Sequence, residues 1–241
     1  MNILKKIKAK QEDIVNASPL TVVFLGDSVT QGCFELYKNS PTTLQTVFEY
    51  EYAFSTKFKK MMNVLYPSVQ INVINSGISG DDAVGGNARL ERDVLKFSPD
   101  LVVVGFALND STKGLERIEE YKSSMREIIT KIQDFGAECI LLTPNMMNTS
   151  VSCHVTDEIT KAVAEKCMKI QNEGILDKYV EELRALGKAS GVKVCDVYAK
   201  WQNMSRAGVD VTELLSNYVN HPIRELHNLT ATMLIDSIFE K

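Results

Sequence analysis

No stretch of this 241-residue sequence stays apolar for the roughly 20 residues that a helix needs to cross a bilayer. The opening MNILKKIKAKQED is charged and is not followed by an apolar run of signal-peptide length, so the expectation is a cytoplasmic location without a membrane partner. Lys and Arg are spread along the chain and the formal charge is −4, so a phosphate backbone would find no basic stripe, and nucleic acid is not an expected partner. The five cysteines, Cys33, Cys139, Cys153, Cys167 and Cys195, are odd in number, far apart and without a CxxC pair. That pattern speaks against a disulfide framework or zinc knuckle and for unpaired thiols in a reducing compartment. Three separated histidines offer no helical pair at ligand spacing, and Gly85-Gly86 lacks the lysine and spacing of a phosphate-binding loop. No cofactor or metal is therefore expected. Asn-x-Ser/Thr triplets at Asn148, Asn203 and Asn228 would matter only in a secreted chain. Nothing repeats and no Pro/Gly-rich linker interrupts the chain, so residues 1–241 are expected to form one domain.

What is present is an alternation of short β-branched runs with longer stretches of helical period, the pattern of a parallel sheet covered on both faces. Strands are expected over Thr21–Leu25, Val69–Ile74, Leu101–Gly105, Glu138–Leu142 and Val192–Asp196. Helices are expected over Glu51–Leu65, Asn87–Lys96, Leu115–Phe135, Thr156–Ser190 with a break near Asn172–Gly174, and Arg224–Phe239. Thr30–Phe48 and Thr143–Val155 read as long polar loops. The fold class is α/β, and in such a sheet ligands sit beyond the carboxyl ends of the strands.

Three strand ends carry chemistry-bearing residues. Gly26-Asp27-Ser28-Val29-Thr30-Gln31-Gly32 sets a hydroxyl at the turn after the first strand, although the same residue types also make turns and helix caps. Asn75-Ser76-Gly77-Ile78-Ser79-Gly80-Asp81-Asp82 follows the second, where Gly80 could present a backbone N–H to a ligand or could be an ordinary loop glycine. Gly105-Phe106-Ala107-Leu108-Asn109-Asp110 follows the third, and the Asn109 amide is a neutral donor suited to a forming oxyanion or to a helix cap. Near the end, Asn217-Tyr218-Val219-Asn220-His221-Pro222 places His221 in a loop before the last helix, from which a base can reach the serine. His227 reads as a packed or capping residue, and His154 as solvent-exposed or a substrate contact.

Taken in order, these blocks resemble the SGNH hydrolase family, the GDSL esterases. Gly26-Asp27-Ser28 with Gly32 is similar to its first block, Ser79-Gly80-Asp81 to its second, Asn109-Asp110 to its third and His221-Pro222 to its fifth. The run through Gly85-Gly86-Asn87-Ala88-Arg89-Leu90 is similar to the thioesterase/lysophospholipase-like branch. The resemblance implies a three-layer, flavodoxin-like fold with about five parallel strands, a shallow site and no cofactor. Ser28 would be the nucleophile and His221 the base, with an oxyanion hole made by the N–H groups of Ser28 and Gly80 and the Asn109 side chain.

Three positions depart from the family pattern. Tyr218 stands three residues before His221, where an acid is usual, so the imidazole would be oriented by Glu213 or Asp210, by a backbone carbonyl, or by Asn217. Phe106-Ala107-Leu108 replaces glycines before Asn109 and would narrow the site, pointing to a small acyl group; Leu226 stands where a second glycine is usual. The leading expectation is a serine esterase acting on a small-molecule ester, with O-acetyl on a carbohydrate or other polar alcohol as the preferred substrate. A long-chain thioesterase or lysophospholipase is the alternative, for which Phe34, Leu36, Met146 and Met147 would have to line a groove, and a lapsed enzyme that only binds is a third.

Overall fold

The computed structural model describes residues 2–40 and 43–240. An N-terminal helix, α1 (Asn2–Glu12), precedes β1 (Leu20–Gly26), and the four-residue helix α2 (Ser28–Gln31) leads into an antiparallel ribbon, β2 (Cys33–Ser40) and β3 (Thr43–Phe48). Next come α3 (Phe54–Leu65), β4 (Ile71–Gly77), α4 (Ala83–Asp93), β5 (Leu101–Gly105), α5 (Leu108–Ser111), α6 (Ile118–Phe135) and β6 (Glu138–Leu142). The chain finishes with α7 (Glu158–Asn172), α8 (Ile175–Ser190), β7 (Lys193–Cys195), α9 (Val197–Arg206) and α10 (Arg224–Phe239). Among the described residues no helix is long and apolar enough to cross a membrane.

The main sheet is parallel throughout, in the order β4-β1-β5-β6-β7. Its middle is a run of apolar side chains, Val22 to Leu25 on β1 and Leu101 to Val104 on β5, all almost fully buried. Such strands read as continuous apolar runs because helices cover both faces. On α6 the buried residues Tyr121, Met125, Ile128, Ile129 and Ile132 recur at helical spacing, the stripe that seats it on the sheet. α3 packs with α10, and α6 packs with α4 and α8, giving the helical layers.

The order reverses at β1, so the crevice at the carboxyl ends of β4, β1 and β5 is the topological switch point. Gly26 pairs in register with Gly77 on one side and Gly105 on the other, which brings the three strand ends to one level. A Cβ on Gly26 would lie 2.7 Å from the Gly105 carbonyl oxygen, so glycine is what lets the chain turn there.

One expectation is corrected. Thr30–Phe48 is not a polar loop: outside positions 41 and 42, which lie outside the described residues, it forms α2 and the β2–β3 ribbon. The ribbon buries Cys33 and Phe34 but leaves Lys38, Asn39, Thr43 and Gln45 exposed, so its strands lack the apolar alternation that marks a strand in sequence. The structure also forms helices α1 and α9 where the sequence pattern gives no clear helical period. Elsewhere the agreement is close: β5, β6 and α10 have the expected bounds, and the long fourth helix breaks at Gly174, whose φ is 73°.

Candidate active site

Asp27 caps α2, its carboxylate accepting from the Val29 N–H at 2.9 Å, and this turn lifts Ser28 off the end of β1. The Ser28 hydroxyl lies 2.9 Å from Nε2 of His221, and Nδ1 of the same ring lies 2.8 Å from the carbonyl oxygen of Phe34. Both side chains are 5% exposed. A carbonyl can only accept, so Nδ1 carries the hydrogen of the neutral ring and Nε2 keeps its lone pair for the serine proton. Burial pushes the imidazole down to about 4, against smaller opposing effects of the Phe34 bond and the Glu35 charge. The ring is thus neutral, and in the tautomer a base needs, through the whole physiological range.

The loop that presents His221 is organised by one buried amide. Asn217 Oδ1 accepts from the backbone N–H groups of Val219, Asn220 and His221 at 3.0, 2.9 and 2.9 Å, while Tyr218 adopts a left-handed φ of 56°. Asn145 anchors the same loop by donating to the Asn220 carbonyl at 2.8 Å. Asn217 therefore holds backbone, not the ring. The two acids expected as orienters are engaged elsewhere: Glu213 accepts from Ser152 Oγ at 2.9 Å, and Asp210 accepts from the Thr212 N–H at 3.0 Å. With the loop wound around Asn217, Nδ1 points at the ribbon, and the backbone-carbonyl alternative is the one the structure contains.

Gly80, with φ 80°, has open space where a Cβ would stand. Neither its N–H nor that of Ser28 has an acceptor among the described residues. Asn109 spends one amide hydrogen on the Asp81 carbonyl at 2.7 Å, which fixes the side chain and leaves its second hydrogen free. These donors stand on the three turns that the Gly26, Gly77 and Gly105 register brings level. Asp110 braces the assembly by accepting from the N–H groups of Ala83 and Ala107, each at 3.0 Å. Burial raises Asp110 to about 6 and Asp27 to about 7.

Arg89 carries no signal of its own in the sequence beyond its place in the family-like stretch after Gly85-Gly86. It is buried and donates to the Gly26 and Ser76 carbonyls at 3.0 and 2.6 Å and to the Asp81 carboxylate at 2.6 Å, tying the ends of β1 and β4 to the turn that carries Gly80. His227 is packed and capping at once: buried between Phe34 and Phe54, it accepts the first N–H of α3, from Phe54, at 3.1 Å. His154 is exposed and stacks on Tyr218 with centroids 5.2 Å apart. Among the described residues no three His, Cys, Asp or Glu side chains gather as metal ligands would.

A serine hydrogen-bonded to a histidine at the switch point of a doubly wound sheet places the chain among α/β proteins with a polar site at the strand ends. The profile of the GDSL-like lipase/acylhydrolase family matches residues 24–228, and the chain belongs to that family. An acetylxylan esterase of Geobacillus stearothermophilus is 28% identical over 93 residues, 35% of this chain and 42% of that protein. An arylesterase of Vibrio mimicus is 33% identical over 72 residues, 30% of this chain and 36% of that protein. The matched stretches thus span less than half of either relative's own length. The structure of the Geobacillus stearothermophilus acetylxylan esterase superposes with a TM-score of 0.67 at 19% identity, covering 93% of this chain and 96% of that one. The lipase/acylhydrolase from Enterococcus faecalis superposes with a TM-score of 0.63 at 21% identity, covering 91% and 95%. At such identities the likeness establishes the shared fold.

Proposed function

We propose that this protein is a serine esterase that removes a small acyl group, acetyl foremost, from a carbohydrate or another polar alcohol. The observation that carries the reading is the Ser28–His221–Phe34 relay, in which a carbonyl fixes the tautomer that leaves Nε2 free. Ser28 Oγ bonds to the ester carbonyl carbon as its proton passes to Nε2. The N–H groups of Ser28 and Gly80 and the Asn109 amide receive the negative charge on the former carbonyl oxygen. Collapse breaks the bond to the alcohol oxygen, which takes the proton back from Nε2, and water then repeats the sequence to release the acid.

Two observations support a small acyl group. Phe106, Ala107 and Leu108, which stand before Asn109 where the family usually has glycines, are all buried, and of the four apolar residues a long-chain groove would need, Phe34, Met146 and Met147 are buried and Leu36 is half-buried. The relatives named as acetylxylan esterases point the same way. Five unpaired thiols support a cytoplasmic setting, and the reading requires no nucleic-acid or membrane partner.

Hydrolysis of p-nitrophenyl esters from acetate to octanoate, measured beside Ser28→Ala, tests the proposal. The expected result is a steep fall beyond acetate and loss of turnover in the variant. Rates that rise with chain length would replace it with the thioesterase or lysophospholipase reading, and inactivity at every length in a folded protein would leave a binding protein.

A further inference from the structure

The bond that orients His221 depends on a carbonyl of the ribbon, and that carbonyl is available because β2 is bulged. Cys33 pairs with Phe48 and Leu36 with Thr46, so Phe34 and Glu35 together face the single residue Val47. A bulge leaves a residue outside the ladder and re-aims its backbone, which frees the Phe34 carbonyl for the imidazole. A two-stranded ribbon is a weak support for a catalytic bond, since isolated hairpins are marginal in water.

The support comes from Arg224, the first residue of α10 and three positions beyond His221. Its guanidinium takes both oxygens of Glu35, at 2.6 and 2.9 Å, and its Nε donates to Glu49 at the exit of β3. The same group lies 4.5 Å from the centre of the Phe34 ring and 5.8 Å from that of Tyr52. The Glu49 N–H in turn donates to the Gly32 carbonyl at 2.9 Å, closing the base of the ribbon on α2. One planar cation thus grips the neighbour of the acceptor, the ring of the acceptor residue and the helix that follows the donor. A forked guanidinium suits this work because its geometry is fixed where an ammonium's is not.

We propose that Glu35, Glu49 and Arg224 form a positioning clamp that keeps the Phe34 carbonyl on His221 and supplies, with a net charge of −1, the electrostatic support that an orienting carboxylate would otherwise give. The proposal rests on the esterase reading above. The charged and titratable groups around the ring are Glu35 on β2, Glu49 after β3, and Arg224 and His227 on α10, with Lys57 of α3 behind His227; α2 faces it with Ser28. Glu35 is the charge whose field raises the imidazole, and Arg224 holds Glu35 below the usual carboxylate range.

The test uses the full chain with Arg224→Gln, Arg224→Lys and Glu35→Gln, and reads p-nitrophenyl acetate kinetics, the acid limb of the kcat/KM profile, and the Nδ1–H resonance of His221. Arg224→Gln should lower kcat about 10- to 100-fold with little change in KM, because a displacement of about 1 Å at a catalytic group costs on the order of 10². It leaves two carboxylates unneutralised, so the acid limb should move up by roughly half a pH unit. Glu35→Gln, a partly exposed isosteric change that keeps the fold, should move the limb down by a similar amount with a smaller loss of kcat. Arg224→Lys keeps the charge but not the fork, so kcat should fall while the limb stays. Opposite limb shifts, with weakening of the Nδ1–H resonance in Arg224→Gln, are what a merely structural role would not produce. If the wild type is active and a fluorophosphonate labels Ser28, yet both the Arg224→Gln and Glu35→Gln variants keep kcat within twofold or lose stability with unmoved limbs, the clamp is wrong and the esterase reading stands. If Ser28 is unlabelled and Ser28→Ala keeps full activity, the esterase reading itself fails, and the clamp with it.

Discussion

Replacing Asn217 with alanine should disable the proposed base without touching it. Asn217 is 3% exposed, and its carbonyl oxygen is the acceptor of three successive backbone N–H groups, the last of them that of His221 itself. Each lost bond is worth about 0.5–1.5 kcal/mol, and a buried N–H left unpaired costs about 1–3. Water can reach part of the loop, since Tyr218 and Asn220 are only half-buried, so the total should be about 2–4 kcal/mol. The left-handed Tyr218, held at φ 56° by this arrangement, would relax and carry His221 away from both Ser28 and Phe34. Turnover of p-nitrophenyl acetate should then fall by about two orders of magnitude with KM little changed, and urea unfolding should give the stability loss independently. Asn217→Asp keeps the acceptor and should retain most of the stability. If Asn217→Ala stays within twofold of wild-type kcat, the loop is not what positions the imidazole.

Because burial holds His221 down at about 4, kcat/KM should stay level through neutrality and fall only as pH approaches that value, and a limb near 6.5 in a pH–rate profile would contradict it. Buried His227 is pushed down to about 3, chiefly by burial, so below pH 6.5 the unfolded chain takes up a proton that the folded one refuses, and stability is lost as pH falls. Asp27, raised to about 7, acts with the opposite sign over the same range, so the histidine is best isolated by difference. From pH 7 to pH 5, His227→Phe should gain about 2 kcal/mol relative to wild type in denaturant titrations, and a constant offset would refute this. Ala107 is buried with φ 126°, a conformation that glycine adopts freely, at a position where glycine is usual in the family. Relief of that strain should outweigh the added chain entropy, so Ala107→Gly should raise stability by about 1 kcal/mol in thermal melts, with no gain if the backbone is unstrained.

How far the sequence was legible follows from the kind of signal each feature emits. β5, β6 and α10 are buried along continuous runs or helical stripes, and their limits could be read directly. Ser28, Gly80, Asn109 and His221 stand out in the sequence because side-chain chemistry is concentrated at strand ends and before the last helix, and folding brings Ser28 and His221 together. The third member of the relay gave no residue-type signal, because a backbone carbonyl can come from any residue and Phe34 is read first as core. The ribbon that carries it is hidden for a related reason: its outer residues mix polar Lys38, Asn39 and Gln45 with exposed Tyr37 and Phe48, so no one face reads as apolar, and its bulge breaks what period remains. Arg224 looked like an ordinary helix start, since its partners lie 175 and 189 positions earlier in the chain. The acids Glu213 and Asp210 were attractive only by proximity in sequence, and folding spent both on nearby groups.

Tyr218 stands where family members usually have an orienting acid, which makes Tyr218→Asp look like a repair, and the geometry argues that it is not one. A neutral imidazole has one hydrogen on Nδ1, and here it is already given to Phe34 at 2.8 Å. A carboxylate at position 218 would have to displace that carbonyl, undoing the bulge contact, while the backbone at φ 56° points the side chain toward His154. Asp tolerates the left-handed conformation, so the substitution should be accommodated, with about 0.5–1.5 kcal/mol lost with the ring stacking. The expected kcat is within about threefold of wild type, because the usual advantage of an acid, holding the tautomer, is already secured by the carbonyl. A tenfold or greater rise in kcat on p-nitrophenyl acetate would mean that the Phe34 carbonyl leaves the base poorly oriented, and that the missing acid limits this enzyme after all.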